Sequence, residues 1–159
     1  MQSARGFTLI EIMIVLAIIA ILALLAIPSQ DPVIVRKQVL ESLEIIEDYK
    51  KLVGFYHKST LTFLKDNKEA GIPPADKLLG NYVDNIVLQD GAFHLHFGNK
   101  AHPVIKNKTL SVRPVVVKGS PQSPISWICG LAAEPDGMEA VTENKTNIAL
   151  NYLPINCRI

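Results

Sequence analysis

The sequence predicts an α+β chain, helix first and sheet after, on three observations. Phe7–Ile27 form an apolar run with one carboxylate inside it. The segment that follows keeps apolar residues at three- and four-residue steps, the helical period. From Tyr82 onward, short runs of β-forming residues alternate with turn signals. The chain has 159 residues, with 16 Lys plus Arg against 15 Asp plus Glu. Setting the apolar run aside leaves about 130 residues, enough for one domain with a modest core. The near-neutral balance gives no basic excess of the kind that marks nucleic-acid binding.

The elements follow in order. Residues 1–6 are a polar leader ending in Arg5-Gly6. Phe7–Ile27 is 21 residues, about 31 Å as a helix and close to a bilayer core of about 30 Å. Residues 7 to about 58 read as one long helix, with 28–58 as its amphipathic second half. Val39, Leu43, Ile46, Tyr49, Val53 and Tyr56 make the packing stripe. Arg36, Lys37, Glu41, Glu44, Glu47, Lys50 and Lys51 lie largely off it. Pro28 and Pro32 each remove a backbone donor and are expected to kink or open the helix. Gly54 is expected to mark its fraying.

Residues 59–159 read as the globular part, opening with a connector over 59–81. There Ser59 or Thr60 is expected to cap a short helix to about Asn67, ended by Gly71 and Pro73-Pro74. Tyr82–Leu88, Ala92–Phe97, Thr109–Val117 and Ile125–Cys129 read as strands within 82–129, the first two joined by a turn at Gln89-Asp90-Gly91. Pro114 suggests an edge position or a late bend for the third. Residues 130–159 are rich in loops.

Glu11 is the informative residue of the apolar run. A carboxylate in an apolar surrounding costs several kcal/mol unless it finds a partner. An amine on Phe7, exposed by cutting after Gly6, would be such a partner on a neighbouring copy. A secretory signal peptide is the competing reading. It would carry a shorter apolar stretch, with the small-residue cleavage site after the run rather than before it. A Glu11 that snorkels to the membrane face is the competing reading of the carboxylate.

Gly6-Phe7-Thr8-Leu9-Ile10-Glu11, the apolar helix and Pro28 together resemble the type IV pilins, and the six-residue leader with Phe at the new terminus resembles the type IVa subclass. GNYVDNIVLQDGAFHLHFGN, NKTLSVRPVV, ISWICG and LPINCR extend the resemblance to the globular part of neisserial-type major pilins. It implies a four-stranded antiparallel sheet packed on the second half of the helix. It implies cleavage by a prepilin peptidase between Gly6 and Phe7, N-methylation of Phe7, and assembly through Glu11 and the Phe7 amine. Pro28 is then the position where the helix opens in the filament. Ala20 stands where many family members have Gly, and Gln30 and Val33 replace common aromatics.

The implied partners are further copies of the chain, the peptidase, and an assembly platform with its ATPase. The implied location is the inner membrane, with a periplasmic carboxy-terminal domain, and then the extracellular pilus. The implied uses are adhesion, twitching motility or DNA uptake. A minor pilin or pseudopilin that primes or modulates a filament, or a DNA-binding pilin, is the alternative. In an oxidising periplasm Cys129 and Cys157 most simply form one bridge, the 129–157 loop matching the family's disulfide-bounded region, with buried free thiols as the alternative. The closed loop would contribute about 3–4 kcal/mol.

His94 and His96 point to one face of their strand. With His102 nearby in sequence they suggest a metal or pH-sensitive site, against a plainer reading as solvated residues opposite Phe93, Leu95 and Phe97. No carboxylate or cysteine sits at tight ligand spacing, so no metal or other cofactor is assigned. Trp127 reads as a ring packed in the core or on the disulfide. Lys65, Lys68, Lys77, Lys100, Lys106 and Lys108 read as a solvated face before a DNA-binding surface. No nucleophile–base pair, phosphate loop or paired-carboxylate motif is present, so no enzymatic activity is expected.

Overall fold

The computed structural model describes residues 6–26 and 31–159. The leader residues before Gly6, Ile27 and the expected kink at Pro28 lie outside the described residues. The chain divides into two compact units, Met1–Gln30 and Asp31–Ile159.

In the first unit, α1 spans Leu9–Ala26. Its 18 residues rise about 27 Å, a little under a bilayer core of about 30 Å. Among the described residues, no helix is long and apolar enough to cross a membrane.

In the second unit, α2 (Asp31–Glu44) and α3 (Glu47–Thr60) carry the amphipathic stripe. The expected continuous helix is interrupted at Ile45–Ile46. The amide of Ile46 bonds to Leu43 O at 3.2 Å, three residues back, so the turn tightens before α3 resumes with Lys50 N to Ile46 O at 2.8 Å. Two consecutive β-branched residues are poor helix formers, and Ile46 is fully buried. Val39, Ile46 and Val53 are buried as expected, and Leu43, Tyr49 and Tyr56 pack against the same core. Pro32 sits in the first turn of α2, where a missing N–H is tolerated.

Gly54 does not end α3, which runs on to Thr60 and stops where Leu61 turns left-handed, its amide bonded to His57 O. The expected short helix from Ser59 or Thr60 is absent. Both residues sit in the last turn of α3, where their hydroxyls donate back to Phe55 O at 3.0 Å and Tyr56 O at 2.9 Å instead of capping a new helix.

The sheet holds β1 (Val83–Gln89), β2 (Ala92–Phe97), β3 (Thr109–Val117), β4 (Ser126–Cys129) and β5 (Met138–Ala140). The order is β1-β2-β3-β4, antiparallel throughout, with β5 on β3. The β1–β2 turn is a two-residue hairpin, Gln89 paired with Ala92, with Asp90 and Gly91 both at positive φ. That backbone matches the strand twist. At Gly91 a Cβ would come within 2.4 Å of the Phe63 ring, so glycine is needed twice over.

Pro114 lies inside a strand paired on both sides, not on an edge. β2 ends its pairing at Phe93↔Val112 and β5 begins at Val115↔Ala140. Pro114 O accepts from Val141 at 3.3 Å, so the missing Pro114 donor falls in the gap between β2 and β5. That gap is how a central strand accommodates the proline.

Ile86, Leu88, Phe93, Leu95, Phe97, Leu110 and Val112 form one core with Val35, Val39, Ile46 and Val53 of the helices. The connector closes the β1 edge through Asn67. Its Nδ2 donates to Pro73 O and Ile86 O, both at 3.0 Å, and its Oδ1 accepts from Leu88 N at 2.7 Å. The edge that would otherwise template another strand is thereby occupied.

Candidate functional site

Gly6, Phe7 and Thr8 precede α1 without regular structure, and all three are exposed. Among the described residues, a Cβ on Gly6 would meet nothing within 4 Å, so packing against them does not require glycine there. Thr8 caps the helix. The Glu11 amide donates to Thr8 Oγ1 at 3.3 Å, and the Thr8 amide donates to Glu11 Oε2 at 2.8 Å. The Thr8 hydroxyl donates to the same Oε2 at 2.9 Å. This reciprocal pairing is a capping box. A carboxylate in the first turn also sits favourably at the positive end of the helix dipole. The Thr-x-x-Glu spacing ahead of an apolar run was the signal available for the cap.

Glu11 therefore stands in an apolar helix with two of its hydrogen bonds supplied by its own chain. Around it the helix is apolar on every side, and Phe7, Leu9 and Ile14 are 82, 79 and 53 % exposed. Such a surface favours lipid or other apolar helices over water.

Cys129 at the end of β4 and Cys157 in a single 3-10 turn form the disulfide. The link is reinforced by Leu131 N donating to Cys157 O at 2.9 Å. Gly130 has φ +61°, and a Cβ there would come within 2.8 Å of that same carbonyl. The closed segment contains β5, a three-residue strand with no distinctive sequence pattern, which was expected to be loop. Trp127 packs beside Phe93, ring centroids 6.0 Å apart, with Lys50 Nζ 5.6 Å over its ring.

His94 and His96 face outward from the sheet, away from the helices, as expected. They are not a solvated pair. His94 is buried, and its Nδ1 lies 2.9 Å from Ser111 Oγ, directly across the β2–β3 pair. Lys145, Thr146 and Asn147, from the disulfide-closed segment, bond to Ser111 and Thr109 and so cross this face. Burial, with the positive charges of Lys145 and Arg113, pushes the His94 pKa down to about 4. His96 Nδ1 instead meets Asp84 Oδ1 at 2.6 Å. His102 Nε2 lies 3.7 Å from Asp31 Oδ1, and its backbone amide donates to Gln38 Oε1 at 2.8 Å. Among the described residues no group of three His, Cys, Asp or Glu is placed to hold a metal. Lys65, Lys68, Lys77, Lys100 and Lys106 are exposed and Lys108 half-buried.

Comparison with known proteins agrees with both ends of the chain. Residues 1–27 match the prokaryotic N-terminal methylation motif, and residues 35–158 match the pilin (bacterial filament) family. The type IV major pilin protein PilE of Neisseria gonorrhoeae is 32 % identical over 97 % of this chain and 93 % of its own length. The fimbrial protein of Neisseria meningitidis serogroup B is 31 % identical over 97 % and 94 %, and fimbrial protein EcpC of Eikenella corrodens 32 % over 99 % and 92 %. Proteins of this family are structural rather than enzymatic. A methylation motif, a helix-backed antiparallel sheet and a disulfide closing the carboxy-terminal segment place this chain in the type IV pilin family.

Proposed function

We propose that the chain is the major structural subunit of a type IV pilus. A prepilin peptidase cuts between Gly6 and Phe7, and the new amino group on Phe7 is methylated. Before assembly, residues 7–27 hold the subunit in the inner membrane, with residues 59–159 and the second half of the helix in the periplasm. The assembly platform and its ATPase then transfer the apolar helix from lipid to the filament core. Surface fibres of this kind serve adhesion, twitching motility or DNA uptake.

The observation that carries this reading is Glu11, a carboxylate on a helix that is otherwise apolar and exposed. In the filament core it is neutralised by the Phe7 amine of an adjacent copy. Desolvation cancels much of the Coulomb gain, so the pair sets register more than it adds cohesion. Cohesion comes from Ile12 to Ile27 packing against neighbouring helices. The exposed, non-helical Gly6–Phe7 bond supports cleavage at that point, since a protease needs an accessible extended segment. Gly6, which packing among the described residues does not require, is then a peptidase requirement. Pro28 gives the helix a place to open once it leaves the membrane.

The test is mass spectrometry of filaments sheared from cells. A dominant species beginning at N-methylated Phe7, with Cys129 and Cys157 bonded, is expected. A dominant species beginning at Met1, or a chain scarce beside another subunit, would overturn the reading of a processed major pilin. The variant Glu11→Gln is expected to be cleaved yet to leave cells without fibres.

A further inference from the structure

The two oxygens of the Glu11 carboxylate are not equivalent. Both donors that reach it from its own chain, the Thr8 amide at 2.8 Å and the Thr8 hydroxyl at 2.9 Å, go to Oε2. Oε1 accepts no hydrogen bond among the described residues, and Glu11 is exposed. A carboxylate has about four lone-pair sites, so Oε1 has room for a donor from outside the chain.

The Thr8 hydroxyl is itself fixed. Its oxygen accepts from the Glu11 amide at 3.3 Å while its hydrogen goes to Oε2. Three bonds between residues one helical turn apart thus hold a side chain that would otherwise sample several rotamers. Ordering a long side chain at the moment of association opposes association, and ordering it beforehand removes that cost.

Phe7 stands one residue ahead of the cap, exposed and outside α1. Its nitrogen makes no hydrogen bond to Glu11 among the described residues. The contacts within the chain therefore come from Thr8 and leave the Phe7 nitrogen for another partner.

We infer that Thr8 is a positioning residue for assembly: by holding Oε2 it presents Oε1 to the Phe7 amine of an adjacent copy. The inference rests on the Glu11–amine pairing proposed above and adds the residue that aims the carboxylate. A charge-assisted bond to a preset oxygen is short and directional. A carboxylate free to swing would meet the amine in several geometries and fix the register between copies less well.

The experiment mixes subunits in cells. The unaltered chain is co-expressed with one variant, and mass spectrometry reads the variant's share of sheared filaments against its share of the processed membrane pool. That ratio removes any effect on synthesis or cleavage. Thr8→Val is expected to enter filaments about fivefold less readily. Thr8→Ser, which keeps the hydroxyl, is expected to enter as readily as the unaltered chain. Glu11→Gln is expected to enter about tenfold less readily or worse. Thr8→Val combined with Glu11→Gln is expected to enter as poorly as Glu11→Gln alone, because no ion pair is left to position. A further drop in the combined variant would mean that Thr8 acts only by starting the helix, and would overturn the inference. So would a Thr8→Val chain that enters normally while Glu11→Gln does not. Free entry of Glu11→Gln would overturn the pairing itself, and this inference with it.

Discussion

In the unit from Asp31 onward, Phe93, Leu95 and Phe97 are fully buried, whereas Phe7, Leu9 and Ile14 in the amino-terminal unit are 82, 79 and 53 % exposed. Both regions are rich in apolar side chains, and only one of them uses those side chains to fold. The second unit places them with period 2 on strands and on one stripe of α2 and α3, so that a single core closes. The first unit places them all round a helix, where no single packed face satisfies them. The same hydrophobic effect stabilises the fold in one region and solubility in lipid, or association with other helices, in the other.

The largest test of that difference compares Phe93→Ala with Ile14→Ala. Removing a fully buried Phe is expected to cost about 3–5 kcal/mol of unfolding stability. Ile14→Ala is expected to leave the denaturation midpoint of the second unit unchanged within about 0.5 kcal/mol. Chemical denaturation of the full chain in detergent, followed by Trp127 fluorescence, measures both. If Ile14→Ala lowered the midpoint as far as Phe93→Ala, the two regions would share one folding unit and the contrast would fail.

Next in size is the disulfide. Cys129→Ser with Cys157→Ser is expected to remove about 3–4 kcal/mol, the loop-closure contribution for a separation of 28 residues. The same denaturation experiment reads it, and helicity of α1 is expected to be indifferent to the change.

The acid response of His94 follows. Its pKa is depressed in the folded chain to about 4 from 6.5, so between those values the unfolded chain binds more protons than the folded one. Stability is therefore complete above about pH 6.5 and falls as pH drops towards 4, by a total on the order of 3 kcal/mol. Measuring the denaturation midpoint from pH 7 to pH 4 checks the sign. In His94→Gln this part of the acid slope is expected to vanish. A variant that kept the whole slope would assign it to carboxylates instead.

The N-terminal motif, the packing stripe and the strands of 82–129 were legible because each is a local pattern with a period. Phe93, Leu95 and Phe97 alternate, and the Asp90-Gly91 turn announces its own backbone. What escaped depends on partners distant in sequence. His94 was expected to be solvated because nothing near it in sequence indicates that residues 145–147 cross its face. Pro114 suggests an edge or a late bend from sequence because the gap between β2 and β5 exists only after a three-residue strand has paired. The break at Ile45–Ile46 is set by how deeply Ile46 must enter the core, a tertiary demand that outweighs helical periodicity. Asn67 bonds to Pro73, Ile86 and Leu88, and no pattern marks an asparagine as the fastener of a strand edge.

The smallest expected effect lies wholly inside the first unit. Thr8 supplies the cap oxygen for the Glu11 amide and a hydroxyl for the Glu11 carboxylate. Thr8→Val keeps the shape and removes both, at a cost of about 1 kcal/mol to the first turn. Because helix ends open locally, that loss is confined to the start of α1. Amide exchange at Glu11 and Ile12 in detergent is expected to speed up about fivefold, while exchange at Leu95 in the sheet stays as it was. The backbone bond from the Thr8 amide to Glu11 Oε2 does not depend on the hydroxyl, so the box is weakened rather than abolished. The added Glu11→Gln change is expected to weaken it further, since a neutral amide oxygen is a poorer acceptor than a carboxylate. Equal exchange in Thr8→Val and the unaltered chain would mean that the cap carries no energy. Faster exchange at Leu95 as well would mean that the loss is not confined to the start of α1 and that the two units do not open independently.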